Sequence, residues 1–586
     1  MNGLSALIVG FFLIGLTTTA AEGGAGGDAE SGVALIDIMS RELDHSMAHL
    51  AADDGTKPYY LAYTVTDIRS VSIRGGLGAL FSDDADRSRI LDVDVRIGDY
   101  GLDSTHKIRG GRGRGMERFF AGGAAAISLE DNADAVTHAI WRATDSAFKS
   151  AVERYKQVLT NVKTMVDEGH QVDDFSREEP SNACEEETLL ALDRDEWAGR
   201  IVRVSRLAKD YPLIHGSSVS LSASVENRSM VTSEGTRLRT GRKLLRVIVS
   251  ANTRADDGMD LSQSFIFDSA TEEALPSEEA MSAAFKKVID QVLALREAPL
   301  VEPYVGPAIL LNRASGVFFH EIFGHRIEGH RQKDVEEGQT FTKMVGKPVL
   351  PEFMSVYDDP TQARFNGADL RGFYRFDDEG VPSSRVDLVV DGILKNFLLS
   401  RSPVEGFSSS NGHGRREPGR SAVSRQGNLI IASDRAVAFD DLRARLVEEC
   451  KKQEKPFGFL FEDITGGFTT TQRSGPQAFK VLPVVVYKVF ADGRPDQLVR
   501  GVDIVGTPLS CFSKILCTGD DPAVFNGSCG AESGYVPVSA VSPSILVEQI
   551  EIEKRQRSQE RLPILPPPLG DKDGSSSRIE TSGKER

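Results

Sequence analysis

The sequence predicts an α+β protein, with an N-terminal α/β-layered domain followed by a β-rich C-terminal domain that carries one functionally important helix. Three observations predict it. Ile36, Met39, Leu43, Met47 and Leu50 recur at helical spacing. "ILDVDVRIGD" and "SVSLSASVEN" alternate apolar and polar residues as half-buried strands do. Beyond residue 300, Asp391-Gly392 and Asp492-Gly493 each sit between apolar runs, which is a strong hairpin signal. A chain of 586 residues exceeds one compact core, so two or three domains are expected.

In chain order, residues 1–21 resemble a secretory signal peptide, with an uncharged apolar run from Leu4 to Leu16 and small residues around Ala20. The run is too short to span a membrane, so no transmembrane segment is expected after leader removal. Cleavage would make the protein extracytoplasmic, either periplasmic or secreted; the alternative is a cytoplasmic protein. A Gly-rich linker follows over 22–31. Residues 32–185 form the N-terminal α+β domain, with a second amphipathic helix whose stripe is Val136, Ile140, Phe148, Val152, Tyr155 and Leu159. The acidic stretch 174–188 reads as a surface loop or boundary. Residues 186–300 form a middle strand and helix region: Val219, Leu221, Ala223 and Val225 line one face of a strand, "LLRVIVSA" is a second, and "SEEAMSAAFKKVIDQVLALREA" returns to helical period. The β-rich domain spans 301–553. Residues 554–586 are rich in Pro, Gly, Ser and charge and are expected to be disordered.

The formal charge of −17 would repel nucleic acid and anionic lipid unless one face were locally basic, and no long basic run is present, so no nucleic-acid partner is expected. Five cysteines, at 184, 450, 511, 517 and 529, are too few and scattered for a disulfide scaffold, although Cys511 and Cys517 are a possible pair in an exported chain.

Chemistry concentrates in "FFHEIFGHRIEGH", residues 318–330. A short strand, "GPAILLN", precedes it, and Ser315 is available to cap a helix starting near Gly316. His320 and His325 are candidate Zn²⁺ ligands and Glu321 a candidate base, because zinc acidifies water and a neighbouring carboxylate takes its proton. The spacing is H-E-x-x-x-H, however. On a regular helix positions i and i+5 lie roughly 140° apart, too far to share one ion. The helix must therefore be irregular, through a π-bulge or by ending at Gly324 in a left-handed turn. Spacing does not choose a third ligand among Glu328, His330, His413 and the cysteines. Asp377, Asp378 and Glu379 suggest either a turn or support for a zinc histidine, and Arg415 and Arg416 either structural residues or a peptide anchor.

The motif, together with "YRFDDEGVP", "SNGHGRREPGRSAVSRQGN", "FEDITGGFTTT" and "FNGSCGAESGYVPVSAVSPSILV" in that order, resembles the TldD/PmbA metallopeptidases, also described as modulators of DNA gyrase. The resemblance covers most of 300–550, and the retained H-E-x-x-x-H is TldD-like. It implies that His320, His325 and Cys529 bind zinc and that Glu321 is the catalytic base. It further implies a homodimer or a heterodimer with a PmbA-like subunit, and an unfolded or extended peptide substrate lying as an added strand near the metal. The rival expectations are a non-catalytic peptide-binding or assembly protein with a structural zinc, closed by His330 or Glu328 as a fourth ligand, and a subunit active only with its partner.

Overall fold

The structure is a computed structural model that describes residues 34–108, 125–164, 172–333, 337–469, 471, 479–506 and 512–555. The leader, the linker, the segment beyond Arg555 and Cys511 lie outside the described residues.

Residues 58–269 build a seven-stranded sheet. Its long central strand, Pro58–Gly76, pairs antiparallel with Ala79–Ile97 on one side and with Gly216–Thr232 on the other. Arg237–Arg254 follows Gly216–Thr232, and its far edge pairs with Asn182–Cys184 and Asp260–Ser269. The expected division at 185/186 therefore does not separate two sheets. Strands from both regions are hydrogen-bonded neighbours, and the acidic stretch 174–188 itself contributes Asn182–Cys184. The odd-numbered residues of the central strand point to one face. Leu61, Tyr63 and Val65 pack there with Met39 and Leu43 of helix Leu35–His49 and Ile140 and Val152 of helix Ala133–Thr164. Further along, Val71 and Ile73 pack with Ile201 of helix Arg194–Ser205 and with Phe285 and Ile289 of helix Glu278–Glu297. All four helices thus cover the same face. The opposite face, with Tyr60 and Ala62, meets the C-terminal half: the Arg401 guanidinium stacks on Phe175 at 3.8 Å and bonds Glu234.

The C-terminal half holds two large sheets with the motif helix, Asn312–Ile322, between them. In the first, Tyr304–Leu310 pairs with Phe457–Thr469 and with Ile545–Lys554. The ladder runs on through Val502–Gly506 and Phe479–Phe490 back to Phe457–Thr469, so five strands close a ring without a free edge. The second is an open six-stranded sheet in the order Ile393–Leu394, Val386–Val390, Met354–Asp358, Asn428–Ser433, Gly534–Ser542 and Ala523–Ala531. Both Asp-Gly hairpins form, and Asp391 (φ 49°) and Gly392 (φ 76°) take the left-handed pair that a two-residue turn requires. A helix at Phe439–Lys452 was not expected: Leu442, Leu446 and Cys450 form its buried stripe. Among the described residues no helix is long and apolar enough to cross a membrane.

Candidate metal centre

The motif helix is buried on all sides, as an apolar helix between two layers must be. It begins at Asn312, not near Gly316, and Ser315 is not its cap. The Ser315 hydroxyl lies inside the helix, 2.7 Å from that of Ser542 on the neighbouring strand. Gly316 faces Ala540, where the lack of a side chain lets helix and sheet approach.

Irregularity supplies the five-residue spacing, by a route differing from both expectations. The α-helix stops at Ile322, Phe323 is a turn residue (φ −96°, ψ −54°), and a separate 3-10 turn, Gly324–Arg326, carries His325. There is no π-bulge, and Gly324 is not left-handed. Its smallness serves a close approach instead, because a methyl group there would land on the Gln426 amide. Arg326 holds the break from behind: its Nη1 donates to the Ile322 carbonyl at 2.9 Å and to that of Glu321 at 3.3 Å, two acceptors orphaned by the helix end.

The break brings His320 and His325 together, with ring centroids 5.1 Å apart. Cys529, on the edge strand Ala523–Ala531, completes the group: one ligand atom from each of His320, His325 and Cys529 lies within 4.8 Å of the others, and His325 Nε2 is 3.4 Å from the sulfur. All three are buried. Burial opposes a thiolate at Cys529, but His325, Arg425 and His320 outweigh it and hold the thiol well below its ordinary range. Burial likewise opposes charge on His325, and Cys529 with Glu328 outweighs that in turn. A deprotonated sulfur facing two imidazoles is the donor set of a divalent metal of intermediate softness, so these residues fit a metal ion.

Glu321 follows His320 directly and is buried, and burial pushes its carboxyl up from the usual range. Gly467 makes room for it, since a Cβ there would stand 2.9 Å from Glu321 Cγ.

The other candidates lie elsewhere. Glu328, fully buried, is 3.3 Å from His325 Nδ1 and accepts from Arg331 Nε at 2.8 Å. It therefore orients the ring that turns Nε2 toward Cys529, the usual support for a metal-binding histidine. His330 Nε2 is engaged by Glu532 at 2.6 Å, and His413 Nε2 by Asp358 at 3.2 Å. Cys450 and Cys517 belong to a separate apolar cluster, and Cys184 is exposed. Asp377, Asp378 and Glu379 do not support a zinc histidine: Asp378 pairs with Arg228 of the first sheet, and Glu379 accepts from the Arg401 backbone. Arg416 pairs with Asp92, also of the first sheet. Sequence reasoning missed Arg425, which donates to the Cys529 carbonyl at 2.6 Å, and Gln426, whose Nε2 lies 3.4 Å from the His320 carbonyl. Both sit in the block "SRQGN", but no spacing rule ties that block to the histidines.

Residues 304–554 match the family model of the PmbA/TldA metallopeptidase C-terminal domain. A metalloprotease of Archaeoglobus fulgidus is 30% identical over 41% of this chain and 51% of its own length. A metalloprotease TldD homolog of Haemophilus influenzae is 26% identical over 57% of this chain and 67% of its own. A zinc metalloprotease TldD homolog of Saccharolobus solfataricus is 24% identical over 45% and 57%. The chain thus spans about half to two thirds of the length of these relatives. Among solved structures, TldE of Thermococcus kodakarensis superposes with a TM-score of 0.60 at 14% identity, covering 88% of this chain and 100% of that one, a likeness of fold. With the mixed α+β architecture and these relatives, the match identifies residues 304–554 as a C-terminal domain of the TldD/PmbA family.

Proposed function

We propose that the protein is a zinc-dependent peptidase that hydrolyses peptide bonds in small or unfolded polypeptides. The observation that carries this reading is the buried convergence of His320, His325 and Cys529 beside the carboxylate of Glu321. Two nitrogens and one sulfur suit zinc, and three protein ligands are the number that leaves a position open in catalytic sites. Zinc, when bound, would supply a Lewis acid that polarises a carbonyl and acidifies water. Glu321 would act as the general base: its raised proton affinity lets it take a proton from water and hand it to the departing amine. Glu328 and Arg425 would hold His325 and the Cys529 backbone in place.

Cys529 lies on the outer strand of the six-stranded sheet. An extended peptide can add to that edge through main-chain hydrogen bonds, which hold any sequence but demand an unfolded chain. The structural-zinc reading requires a fourth ligand, and the hydrogen bonds that engage His330 and Glu328 elsewhere argue against it. Assembly as a homodimer or with a PmbA-like subunit, and passage out of the cytoplasm, belong to the same proposal. Sizing of the purified protein and N-terminal mass analysis test them.

The test of the chemistry is Glu321→Gln, assayed with unfolded peptides beside the wild type. Zinc content should be unchanged and cleavage lost; equal cleavage by both proteins removes Glu321 as the base.

A further inference from the structure

A cavity of about 230 Å³ lies between the first sheet and the loops of the C-terminal half, apart from the metal triad. The sheet contributes Thr66, Arg228 and Arg242; the other wall is Phe373–Asp378 with Arg415 and Arg416. Five arginines line it, and four have a carboxylate partner. Arg228 pairs with Asp378, Arg242 with Glu226 and Arg416 with Asp92, while Arg375 pairs with Glu185 at the exposed rim. Arg415 has no carboxylate partner among the described residues. It is 2% exposed, its guanidinium stacks 4.7 Å over the Tyr374 ring, and its one side-chain hydrogen bond goes from Nη1 to the Gln426 carbonyl. Asp377, the remaining acid of the lining, is already spent on the backbone N–H groups of Glu379, Val381 and Gly414.

A buried guanidinium without a counter-ion is costly, and burial already pushes Arg415 down to about 10. The lining therefore offers a planar donor fork that no carboxylate of its own engages, beside an aromatic face. A single carboxylate matches that fork, and the carboxylates around the cavity disfavour a dianion such as phosphate. The volume is below the range of about 300–1,000 Å³ usual for drug-sized ligands, which limits the occupant to a few heavy atoms.

We infer that this cavity is a binding site for a small carboxylate, either a free amino acid or the C-terminal residue of a peptide, with Arg415 as its anchor. The inference does not rest on the peptidase reading. The cavity and the metal triad nevertheless share Gln426, whose carbonyl accepts from Arg415 and whose amide packs on Gly324.

The full-length protein is tested by saturation-transfer NMR and thermal unfolding with L-alanine, acetate and L-alaninamide. L-Alanine and acetate should bind saturably, with a Kd of about 1 mM, and raise the unfolding temperature, whereas L-alaninamide should not. Arg415→Gln should weaken carboxylate binding at least about tenfold. Thr240→Trp, which fills the cavity and leaves Arg415 in place, should abolish it and guards against misfolding of the first variant. Cys529→Ser should leave binding unchanged, separating the cavity from a carboxylate taken by the metal. In the Glu321→Gln background, Gly-Gly-Ala and L-alanine distinguish the two sources: tighter binding of the tripeptide supports a peptide terminus, and tighter binding of L-alanine supports a free amino acid. Absence of saturable carboxylate binding, equal binding by Arg415→Gln, or loss of binding in Cys529→Ser would overturn the inference.

Discussion

Replacing Glu328 by Gln keeps the shape of a fully buried side chain and removes its charge. Burial alone would raise this carboxyl, but His325, Arg331 and Arg425 outweigh it and hold it at about 2. A fall from the ordinary 4.5 to about 2 corresponds to about 3 kcal/mol of preference for the charged form in the folded state, at roughly 1.4 kcal/mol per unit. Because the folded-state value is depressed, that contribution is complete above pH 4.5 and is lost as the pH falls toward 2. The metal-free variant should therefore unfold at lower urea than the wild type at pH 7, by about 3–5 kcal/mol once the broken contacts to Arg331 and Arg425 are included. The gap should close between pH 4.5 and 2. The same substitution removes the carboxylate that faces His325 Nδ1, so zinc affinity measured against a competing chelator should fall by about 10–100-fold. A variant that matches the wild type in urea midpoint at pH 7 and in zinc affinity would refute the claim that Glu328 organises His325.

Cys529→Ser should leave the fold intact and lower zinc affinity by roughly 100-fold, read as metal retained after dialysis; full retention would return the search to His330. Gly324→Ala should cost about 1–3 kcal/mol by driving a methyl into the Gln426 amide, and Gln426→Ala in the same chain should restore most of it; a double-mutant cycle without coupling would reject the clash. Enclosure and the neighbouring Asp377 raise Glu379. Its neutral form is therefore favoured by folding, and stability is lost as the pH climbs through neutrality. Glu379→Gln should accordingly gain unfolding temperature over the wild type at alkaline pH and match it below pH 4.5; a gap independent of pH would exclude that origin.

How far the sequence revealed this molecule depended on whether a residue's surroundings were local. Val219, Leu221, Ala223 and Val225 were legible because one face of their strand is wholly buried and the period of two survives in the sequence. The central strand Pro58–Gly76 was not, because Tyr60 and Ala62 are buried on its other face and blur the alternation. Ser315 misled for a related reason: a serine before an apolar run reads as a cap, and only the strand carrying Ser542, more than two hundred residues away, gives its hydroxyl a different partner. The rule that i and i+5 cannot chelate on a regular helix did hold, but it could not foresee a 3-10 turn supported by Arg326 and Gln426.

The choice of third ligand shows the same boundary in electrostatic form. Glu328, His330 and Cys529 are all chemically able to complete a site with His320 and His325, and spacing treats the first two as the nearer choices. Arg331 argues against both: it binds Glu328 at 2.8 Å and Glu532 at 3.1 Å, and Glu532 in turn engages His330. Those donors are therefore spent on one another. The Cys529 sulfur instead faces His320, His325 and Arg425, groups that all favour its anionic form. Of the three it alone combines proximity to both imidazoles with a charge left for a cation to satisfy. A charge-removing change at Arg331 should consequently disturb His330 and Glu328 before it disturbs the sulfur, an ordering that follows from the ion-pair network and not from distance along the chain.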